Sequence, residues 1–329
     1  MVGHLLEIEE LKGYYRGTFG VVFGVDGVSL TLDSGEIMGL AGESGCGKST
    51  LAELVSGSPP PLLHYEGGKI LIDGFDIYHI DPEVLRTEVK CKRMSYVPQA
   101  SMESLNPVKR IRGFIMDVVK ERTGKKPSRE EVLKTAGDHL KKLGLESSVL
   151  DRYPLELSGG MKQRVVIGIS TLWNPKLLVI DEPTSALDVT SQKHMIKSLL
   201  DLKQAGVIES MLYISHDISS LRQLCDRCAV MYCGKIVETG SMDDIINNPR
   251  HPYTQGLISS VVSYDPEGRQ KGALKSIPGE HPDLRNPPPG CRFHPRCPYA
   301  KDVCKTTEPA VIKAEKGRRE CACCLRLDE

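Results

Sequence analysis

The chain has 329 residues, and its 43 basic and 43 acidic residues balance to a formal net charge of zero. This length suits one large domain with an extension or two domains, and the balanced charge argues against a polybasic nucleic-acid-binding protein while leaving a local basic patch open. The N-terminus lacks the basic head and apolar stretch of a signal peptide, and the longest apolar-leaning stretch, residues 165–173, is too short to cross a bilayer. Any membrane role is therefore expected to depend on a partner protein.

The first part of the chain has the pattern of β structure. Apolar and polar residues alternate between positions 5 and 35, which predicts an antiparallel β layer. A short apolar strand over residues 37–41 then leads into a glycine-rich turn, and a helix is expected over residues 49–55.

The glycine-rich turn reads GESGCGKST from Gly42 to Thr50 and fits the pattern G-x-x-x-x-G-K-[ST] between a strand and a helix. Glycines let backbone N–H groups curl around phosphate oxygens, and the following helix N-terminus adds a favourable dipole. Lys48 would bring a positive charge to the β- and γ-phosphates, and the Ser49 hydroxyl would bind Mg²⁺. The alternative is a glycine-rich turn without a ligand. The predicted nucleotide-binding residues of this loop are Gly42, Ser44, Gly45, Cys46, Gly47, Lys48, Ser49 and Thr50, with the Cys46 thiol incidental.

The middle of the chain predicts helices and then buried strands. Residues 107–165 are helical in pattern, and Ser128 with Glu131 matches a capping box. Residues 177–180 are wholly apolar, and residues 211–215 form a second such segment, as expected of central parallel strands buried on both faces.

Two carboxylates follow the first apolar segment. Asp181 stands at the carboxyl end of the expected strand and could hold Mg²⁺ through water, and Glu182 is placed to polarise an attacking water molecule. An ordinary strand-end turn would show the same two residues. The string PTSALD at residues 183–188, together with LSGG at residues 157–160, favours the catalytic interpretation.

These strings resemble ABC transporter ATPases: LSGGMKQR at residues 157–164 is similar to their signature motif. The resemblance implies that Ser158, Gly159 and Gly160 of one subunit contact the ATP held by another. The Ser hydroxyl and the amides at a helix start suit γ-phosphate oxygens. Met161 departs from the Gln of many ABC proteins, a departure common in the oligopeptide-type branch.

Three further roles are implied by the resemblance. Gln99, in the string YVPQ, resembles the glutamine that senses Mg²⁺ and the γ-phosphate, and His216 resembles the histidine that contacts the γ-phosphate. Tyr15 resembles the aromatic residue that stacks on adenine, with Tyr14 as its rival. The predicted catalytic residues are thus Glu182, His216 and Lys48.

The fold implied is an α/β P-loop NTPase (RecA-like) with a parallel-sheet core, an antiparallel β layer and an inserted helical subdomain over about residues 101–165. The composition shifts near residue 241 towards Pro, His, Arg and Cys, which predicts an ATPase domain over residues 1–240. Residues 241–329 would then form a C-terminal extension with a small Cys-rich domain.

Several strings narrow the resemblance to the oligopeptide/dipeptide importer branch, whose members import peptides, nickel or oligosaccharides: SLNP at 104–107, DRCAVMY at 226–232, HPYT at 251–254 and GCRFHPRC at 290–297. The resemblance implies ATP and Mg²⁺ as ligands and a second, non-identical ABC ATPase subunit as partner. It also implies two transmembrane permeases, an extracytoplasmic substrate-binding protein and a peripheral place on the cytoplasmic side of the cell membrane, without nucleic acid. The alternatives are an exporter ATPase and a soluble ABC ATPase acting on ribosomes or DNA.

Six of the eleven cysteines fall between residues 291 and 324. Four soft thiolates in one short segment could hold a [4Fe–4S] cluster or zinc, and free thiols are the third possibility. By resemblance the cluster ligands are Cys291, Cys297, Cys304 and Cys321, with Cys323 and Cys324 as rivals for the fourth place. The mid-chain group, Cys225, Cys228 and Cys233, is expected to be buried free thiols.

Overall fold

The computed structural model describes residues 3–18, 20–124, 128–185, 187–260, 276–313 and 319–326. The strands of these ranges are β1 Leu6–Gly17, β2 Gly20–Leu32, β3 Ile37–Ala41, β4 Leu63–Ile72, β5 Phe75–Asp76, β6 Met94–Val97, β7 Leu177–Asp181, β8 Ser210–Ile214, β9 Arg227–Tyr232, β10 Lys235–Ser241, β11 Val311–Lys313 and β12 Glu320–Ala322. The α-helices are α1 Lys48–Val55, α2 Pro82–Val84, α3 Ile111–Thr123, α4 Arg129–Lys142, α5 Gly159–Ser170, α6 Val189–Gln204, α7 Ile218–Leu224, α8 Met242–Asn247, α9 Pro252–Ser259 and α10 Asp302–Thr306.

The larger sheet has the strand order β11-β12-β10-β9-β3-β8-β7-β6, and its five strands from β9 to β6 run parallel. Strands β3, β7 and β8 are buried along their whole length, which explains their continuous apolar sequences. The predicted parallel core is confirmed. Its carboxyl edge carries the loops after β3, β7 and β8, where ligands of such sheets bind.

The smaller sheet, of order β2-β1-β4-β5, is the predicted antiparallel layer. Leu6 and Ile8 are buried, as the alternation of the sequence requires, and a register shift after Ile8 brings Leu11 to the buried side as well. Helix α1 contributes Leu51 and Leu54 to the same apolar cluster. Each fully buried leucine stabilises the fold by about 2 kcal/mol, so this cluster fixes the start of α1 against both sheets.

Helices α3, α4 and α5 form the predicted helical subdomain, which reaches Ser170 and so ends a little beyond the expected residue 165. Ile115, Leu140 and Val165 pack into one core cluster. Ser128 caps α4 by accepting a hydrogen bond from the Glu131 N–H at 3.5 Å, as its sequence predicts. Among the described residues, no helix has both the length and the apolar character needed to span a membrane.

The C-terminal residues pack onto the ATPase core. Strand β12 pairs with β10 and so extends the central sheet, and Phe293 lies edge-on to Tyr232 with their ring centroids 5.2 Å apart. A separate Cys-rich domain and a boundary near residue 241 therefore stay predictions.

Candidate nucleotide-binding site

The loop between β3 and α1 has the backbone shape of a phosphate cradle. Gly42 and Gly47 have φ angles of 154° and 110°. A Cβ atom on Gly47 would lie 2.1 Å from the Gly24 carbonyl oxygen, and one on Gly42 would lie 2.3 Å from that of Met231. Both positions thus require glycine for conformation and for space. The loop is packed between β2, which carries Gly24, and β9, which carries Met231.

Lys48 is held inside this loop. Its Nζ donates hydrogen bonds to the carbonyl oxygens of Gly42 and Glu43, each at 2.9 Å, and the residue is 5% exposed. Cys46 is buried, its Sγ lies 3.8 Å from Lys48 Nζ, and burial raises the pKa of its thiol. The ammonium group therefore lies inside the loop. There, phosphate oxygens of a bound nucleotide could take the place of the two loop carbonyls as its hydrogen-bond acceptors.

A cavity of about 920 Å³ lies over the loop and gathers most of the predicted site. Its walls include the following predicted residues: Tyr15, Gly42, Ser44, Gly45, Gly47, Lys48, Ser49, Thr50, Gln99, Glu182 and His216. Residues as far apart in sequence as Tyr15 and His216 therefore face one space. The cavity is large enough for a nucleoside triphosphate, since ligand cavities usually fall between about 300 and 1,000 Å³.

Asp181 ends β7 beside the loop and is 1% exposed. Burial raises the pKa of its carboxyl group to about 6; the Ser49 hydroxyl and Lys48 lower the pKa and Glu182 raises it. Within the described ranges, no hydrogen bond of normal geometry reaches either carboxylate oxygen. A buried carboxylate without such partners beside a serine hydroxyl suits a hard divalent cation, so these residues fit Mg²⁺.

Glu182 and His216 face each other at the cavity mouth. The Nδ1 atom of His216 lies 2.8 Å from Oε2 of Glu182, and the two side chains are 57% and 12% exposed. Glu182 has a φ of 46°, and its N–H donates to the Ile214 carbonyl at 2.9 Å. The backbone turn after β7 is therefore strained in a way that presents the carboxylate to the cavity.

The two adjacent tyrosines of β1 point to different surroundings. Tyr15 lines the cavity, and its hydroxyl donates to Glu53 at 2.9 Å; burial is the main cause that raises its pKa to about 12. Tyr14 instead donates to Asp26 at 2.7 Å and packs edge-on against Phe23. The structure thus places Tyr15, and not its rival, at the cavity wall.

The signature residues lie apart from this cavity. Ser158 caps α5 by accepting a hydrogen bond from the Met161 N–H at 3.3 Å, and Ser158 and Gly159 are exposed while Gly160 is half-buried. None of the three lines the cavity. The structure therefore does not bring the signature residues to the phosphate loop of the same chain.

Part of the site comes from the C-terminal extension, which sequence reasoning missed. Leu257, His281 and Leu284 line the cavity, and Arg296 forms an ion pair with Glu43 of the phosphate loop at 2.7 Å. The string GCRFHPRC identified the extension by resemblance, but its local pattern does not show which of its side chains contacts the phosphate loop.

The C-terminal cysteines do not assemble as predicted. Within the described ranges, no group of three or more His, Cys, Asp or Glu side chains is arranged to hold a metal ion. Cys321 lines a cavity with Glu10 and Gly27, whereas the thiols that act on the pKa of Cys291 are Cys304, Cys323 and Cys324. Burial raises the pKa of Cys291 to about 11. The residues as placed thus do not fit an iron–sulfur cluster or zinc.

The mid-chain cysteines are buried free thiols, as expected. Burial raises the pKa of Cys228 to about 12 and that of Cys233 to about 11, and it also raises the pKa of Cys225. These three residues behave as small apolar side chains of the core.

Comparison with known proteins agrees with this geometry. Residues 25–185 match the ABC transporter family, and residues 237–304 match the C-terminal region of oligopeptide/dipeptide transporters. A dimeric ATP-binding cassette solved in a post-hydrolysis state with ADP and phosphate has a TM-score of 0.62 at 24% identity, over 72% of this chain and 98% of that chain. That likeness confirms the cassette fold.

Curated relatives resemble the chain along almost its whole length. The dipeptide transport ATP-binding protein DppD of Caldanaerobacter subterraneus subsp. tengcongensis is 39% identical over 322 residues, which cover 98% of this chain and 97% of the relative. The oligopeptide transport ATP-binding protein AppF of Bacillus subtilis is 40% identical over 321 residues, or 94% of each chain. This chain therefore belongs to the ABC transporter ATPases, in the oligopeptide/dipeptide family.

Proposed function

We propose that the chain hydrolyses ATP to power peptide import through a membrane transporter. The observation that carries this proposal is the single cavity in which the phosphate loop faces the Glu182–His216 pair. The names of the relatives, which are dipeptide and oligopeptide transport ATP-binding proteins, support peptides as cargo, with nickel or oligosaccharides as the other cargoes of the branch.

The positions of the side chains support the following residue roles. Lys48 exchanges its loop carbonyls for β- and γ-phosphate oxygens, and Ser49 and Asp181 provide hard oxygen ligands, with Gln99 nearby in the cavity wall. Mg²⁺ bound by those oxygens would neutralise charge on the β- and γ-phosphates. The strongly buried Asp181 gains most from such a cation.

Glu182 is the proposed group that orients and polarises the attacking water molecule. Its Oε2 is fixed by His216 at 2.8 Å, which leaves the other carboxylate oxygen for the water. The water oxygen bonds to the γ-phosphorus, the bond from phosphorus to the bridging oxygen breaks, and ADP leaves. His216 is exposed enough to reach the γ-phosphate as well.

The exposed signature residues support a site shared between two subunits. Ser158, Gly159 and Gly160 begin α5, a helix of 12 residues, and their N–H groups suit the γ-phosphate held by a second ATPase. We propose a non-identical ATPase as that partner, with two transmembrane permeases, an extracytoplasmic binding protein and attachment at the cytoplasmic side of the membrane. ATP would then close two half-sites, and hydrolysis would release them.

Co-purification from solubilised membranes tests this proposal. Two polytopic permeases and a second ATPase in the eluate, together with ATP hydrolysis stimulated by a peptide-loaded binding protein, are the expected result. Recovery with ribosomes or DNA would support the soluble alternative, and ATP-dependent efflux from inverted vesicles would support the exporter alternative. Either outcome would overturn the import proposal.

The iron–sulfur cluster stays a hypothesis without support from the placed residues. Its test is anaerobic purification with measurement of bound iron, sulfide and zinc. The resemblance predicts that a bound cluster is lost in Cys321→Ser, and Cys323→Ser and Cys324→Ser test the two rivals for the fourth ligand. If the unaltered protein contains no iron or sulfide after anaerobic purification, the cluster hypothesis is wrong.

A further inference from the structure

Arg296 of the C-terminal extension forms a two-point ion pair with Glu43 of the phosphate loop, which Tyr253 and His281 of the extension also contact. Nη1 of Arg296 donates to Oε2 of Glu43 at 2.7 Å, and Nη2 donates to Oε1 at 3.1 Å. The Arg296 side chain is 5% exposed and that of Glu43 is 18% exposed. Two parallel hydrogen bonds fix the orientation of the Glu43 carboxylate as well as its distance from Arg296. Because both side chains are largely buried, salt screens the ion pair only weakly.

A second contact holds the backbone of the same loop residue. The Glu43 N–H donates to the hydroxyl oxygen of Tyr253 at 2.8 Å, and Tyr253 is fully buried. The ring of Tyr253 lies 4.6 Å from that of Tyr232 and 5.4 Å from that of Phe293. The Glu43 amide is therefore directed to the extension, while its carbonyl oxygen accepts from Lys48 on the other side.

Arg296 is itself fixed before any ligand arrives. Its Nε donates to the Pro278 carbonyl at 2.9 Å, and its guanidinium carbon lies 5.8 Å from the centre of the Tyr232 ring. The hydrogen bonds to Glu43 raise the pKa of Arg296 further above its usual range, so the group remains charged. A guanidinium held on three sides loses little freedom when it holds Glu43.

We propose that Arg296 is a positioning residue that keeps the phosphate-binding loop in its nucleotide-accepting shape through Glu43. The path of influence is short: Arg296 fixes Glu43, and the Glu43 carbonyl is one of the two that station Lys48. Arg296 also neutralises a carboxylate that would otherwise stand beside a triphosphate. This inference rests on the proposed ATP site, and the extension thereby becomes part of that site.

The test measures ATP affinity of the purified full-length chain by titration calorimetry. Arg296→Gln should weaken ATP binding about tenfold, which corresponds to about 1.4 kcal/mol, while the maximal turnover of the transporter at saturating ATP changes less than about twofold. Arg296→Lys keeps the charge without the planar fork, and its ATP affinity should lie between those of the wild type and Arg296→Gln. The matched control is Arg285→Gln, because Arg285 is an exposed arginine of the same extension whose partner is Asp283.

A double-variant cycle separates positioning from general damage. If Arg296 acts through Glu43, then Glu43→Gln combined with Arg296→Gln should bind ATP no more weakly than Arg296→Gln alone. Effects that multiply, or wild-type affinity in a folded Arg296→Gln protein, would overturn the inference. Should Arg296→Gln fail to fold, Arg296→Lys decides, because it keeps the positive charge beside Glu43 and loses only the planar fork: weaker ATP binding than wild type supports the inference, and wild-type affinity overturns it. Absence of ATP binding by the unaltered chain would instead overturn the proposed function.

Discussion

The phosphate loop and the signature helix differ in how far each is prepared for a nucleotide. At the loop, Lys48 is buried between two carbonyl acceptors, and Glu182 is paired with His216. At the signature, Ser158 is exposed and bonds only within its own helix start, outside the cavity. The phosphate loop is organised by residues of this chain, whereas the signature presents an exposed helix N-terminus, as the proposed two-subunit site requires. The contrast favours a site completed between subunits.

Replacing the proposed catalytic carboxylate should give the largest effect. Glu182→Gln should lower turnover about 10²- to 10⁴-fold, because the amide polarises water poorly, while ATP affinity stays near wild type. Phosphate release and ATP titration measure the two quantities, and a closed ATP-bound dimer should accumulate on size exclusion. Glu308→Gln, at an exposed carboxylate paired with Lys235, is the control. Steady-state hydrolysis at the wild-type rate would show that Glu182 has another role.

A change confined to the signature should separate binding from turnover. Ser158→Asp keeps an N-cap acceptor but places a negative charge where the partner's γ-phosphate would lie. We expect about hundredfold slower turnover from like-charge repulsion, with unchanged ATP affinity of the single chain. Ser158→Asn keeps the cap without the charge and serves as the control. Weaker ATP binding by the isolated Ser158→Asp chain would mean that the two regions meet within one subunit.

The adenine-side wall can be tested at the paired tyrosines. Tyr15→Ala should raise the KM for ATP about ten- to thirtyfold by removing base stacking, with a smaller change in kcat. Tyr14→Phe removes only the hydroxyl that donates to Asp26 and should leave KM near wild type. Steady-state kinetics over a range of ATP concentrations measures both. A larger KM change in Tyr14→Phe would reverse the assignment.

Acidification should lower the free energy of unfolding through His139, which contacts the C-terminal end of the signature helix α5 at Thr171. Burial, with a smaller effect of Lys142, lowers the pKa of His139 to about 4 from an ordinary 6.5, and its Nε2 lies 2.9 Å from the Thr171 hydroxyl. The unfolded chain therefore takes up this proton near pH 6.5 and the folded chain only near pH 4. The stability that depends on neutral His139 is full above pH 6.5 and decreases as the pH falls towards 4.

At pH 5 the loss attributable to His139 should be about 2 kcal/mol of unfolding free energy. His139→Gln cannot titrate and should show a shallower decrease between pH 7 and pH 5 in urea unfolding curves. A parallel slope in both proteins would contradict the assignment. His251, buried at the start of α9 with a pKa lowered to about 4 by burial, should contribute in the same direction.

The sequence predicted the parts of the site that depend on local chemistry. The glycines of the phosphate loop, the carboxylates Asp181 and Glu182 at the end of β7 and the cap of α4 by Ser128 each follow from neighbouring residues. The roles of the site residues stay predictions. The resemblance named Tyr15 with Tyr14 as its rival, and the structure shows that Tyr15 faces the cavity, where the register of β1 shifts between Gly13 and Tyr15. Pattern alone cannot show which of two adjacent strand residues faces a cavity when the pleat is interrupted.

The contact between Arg296 and Glu43 lay beyond sequence reasoning for a different reason. The two residues are 253 positions apart, and each stands in a string that can be understood without the other. Likewise, resemblance grouped Cys321 with Cys291, Cys297 and Cys304, but on β12 it lines a cavity together with Glu10 and Gly27. Spacing along the chain does not fix distance once a strand intervenes.

The close approach of Gly47 to Gly24 links the adenine side of the site to the phosphate side. A methyl group at position 47 would meet the Gly24 carbonyl oxygen at 2.1 Å, and a Cβ at Gly24 would meet the Thr50 methyl at 2.8 Å. We expect a side chain at either position to push the antiparallel sheet and α1 apart, which would distort both the phosphate loop and the proposed base-binding wall. Random mutagenesis with selection for transport should therefore recover almost only glycine at positions 24 and 47. Substitutions at these positions should not produce variants that accept nucleotide analogues with bulkier bases.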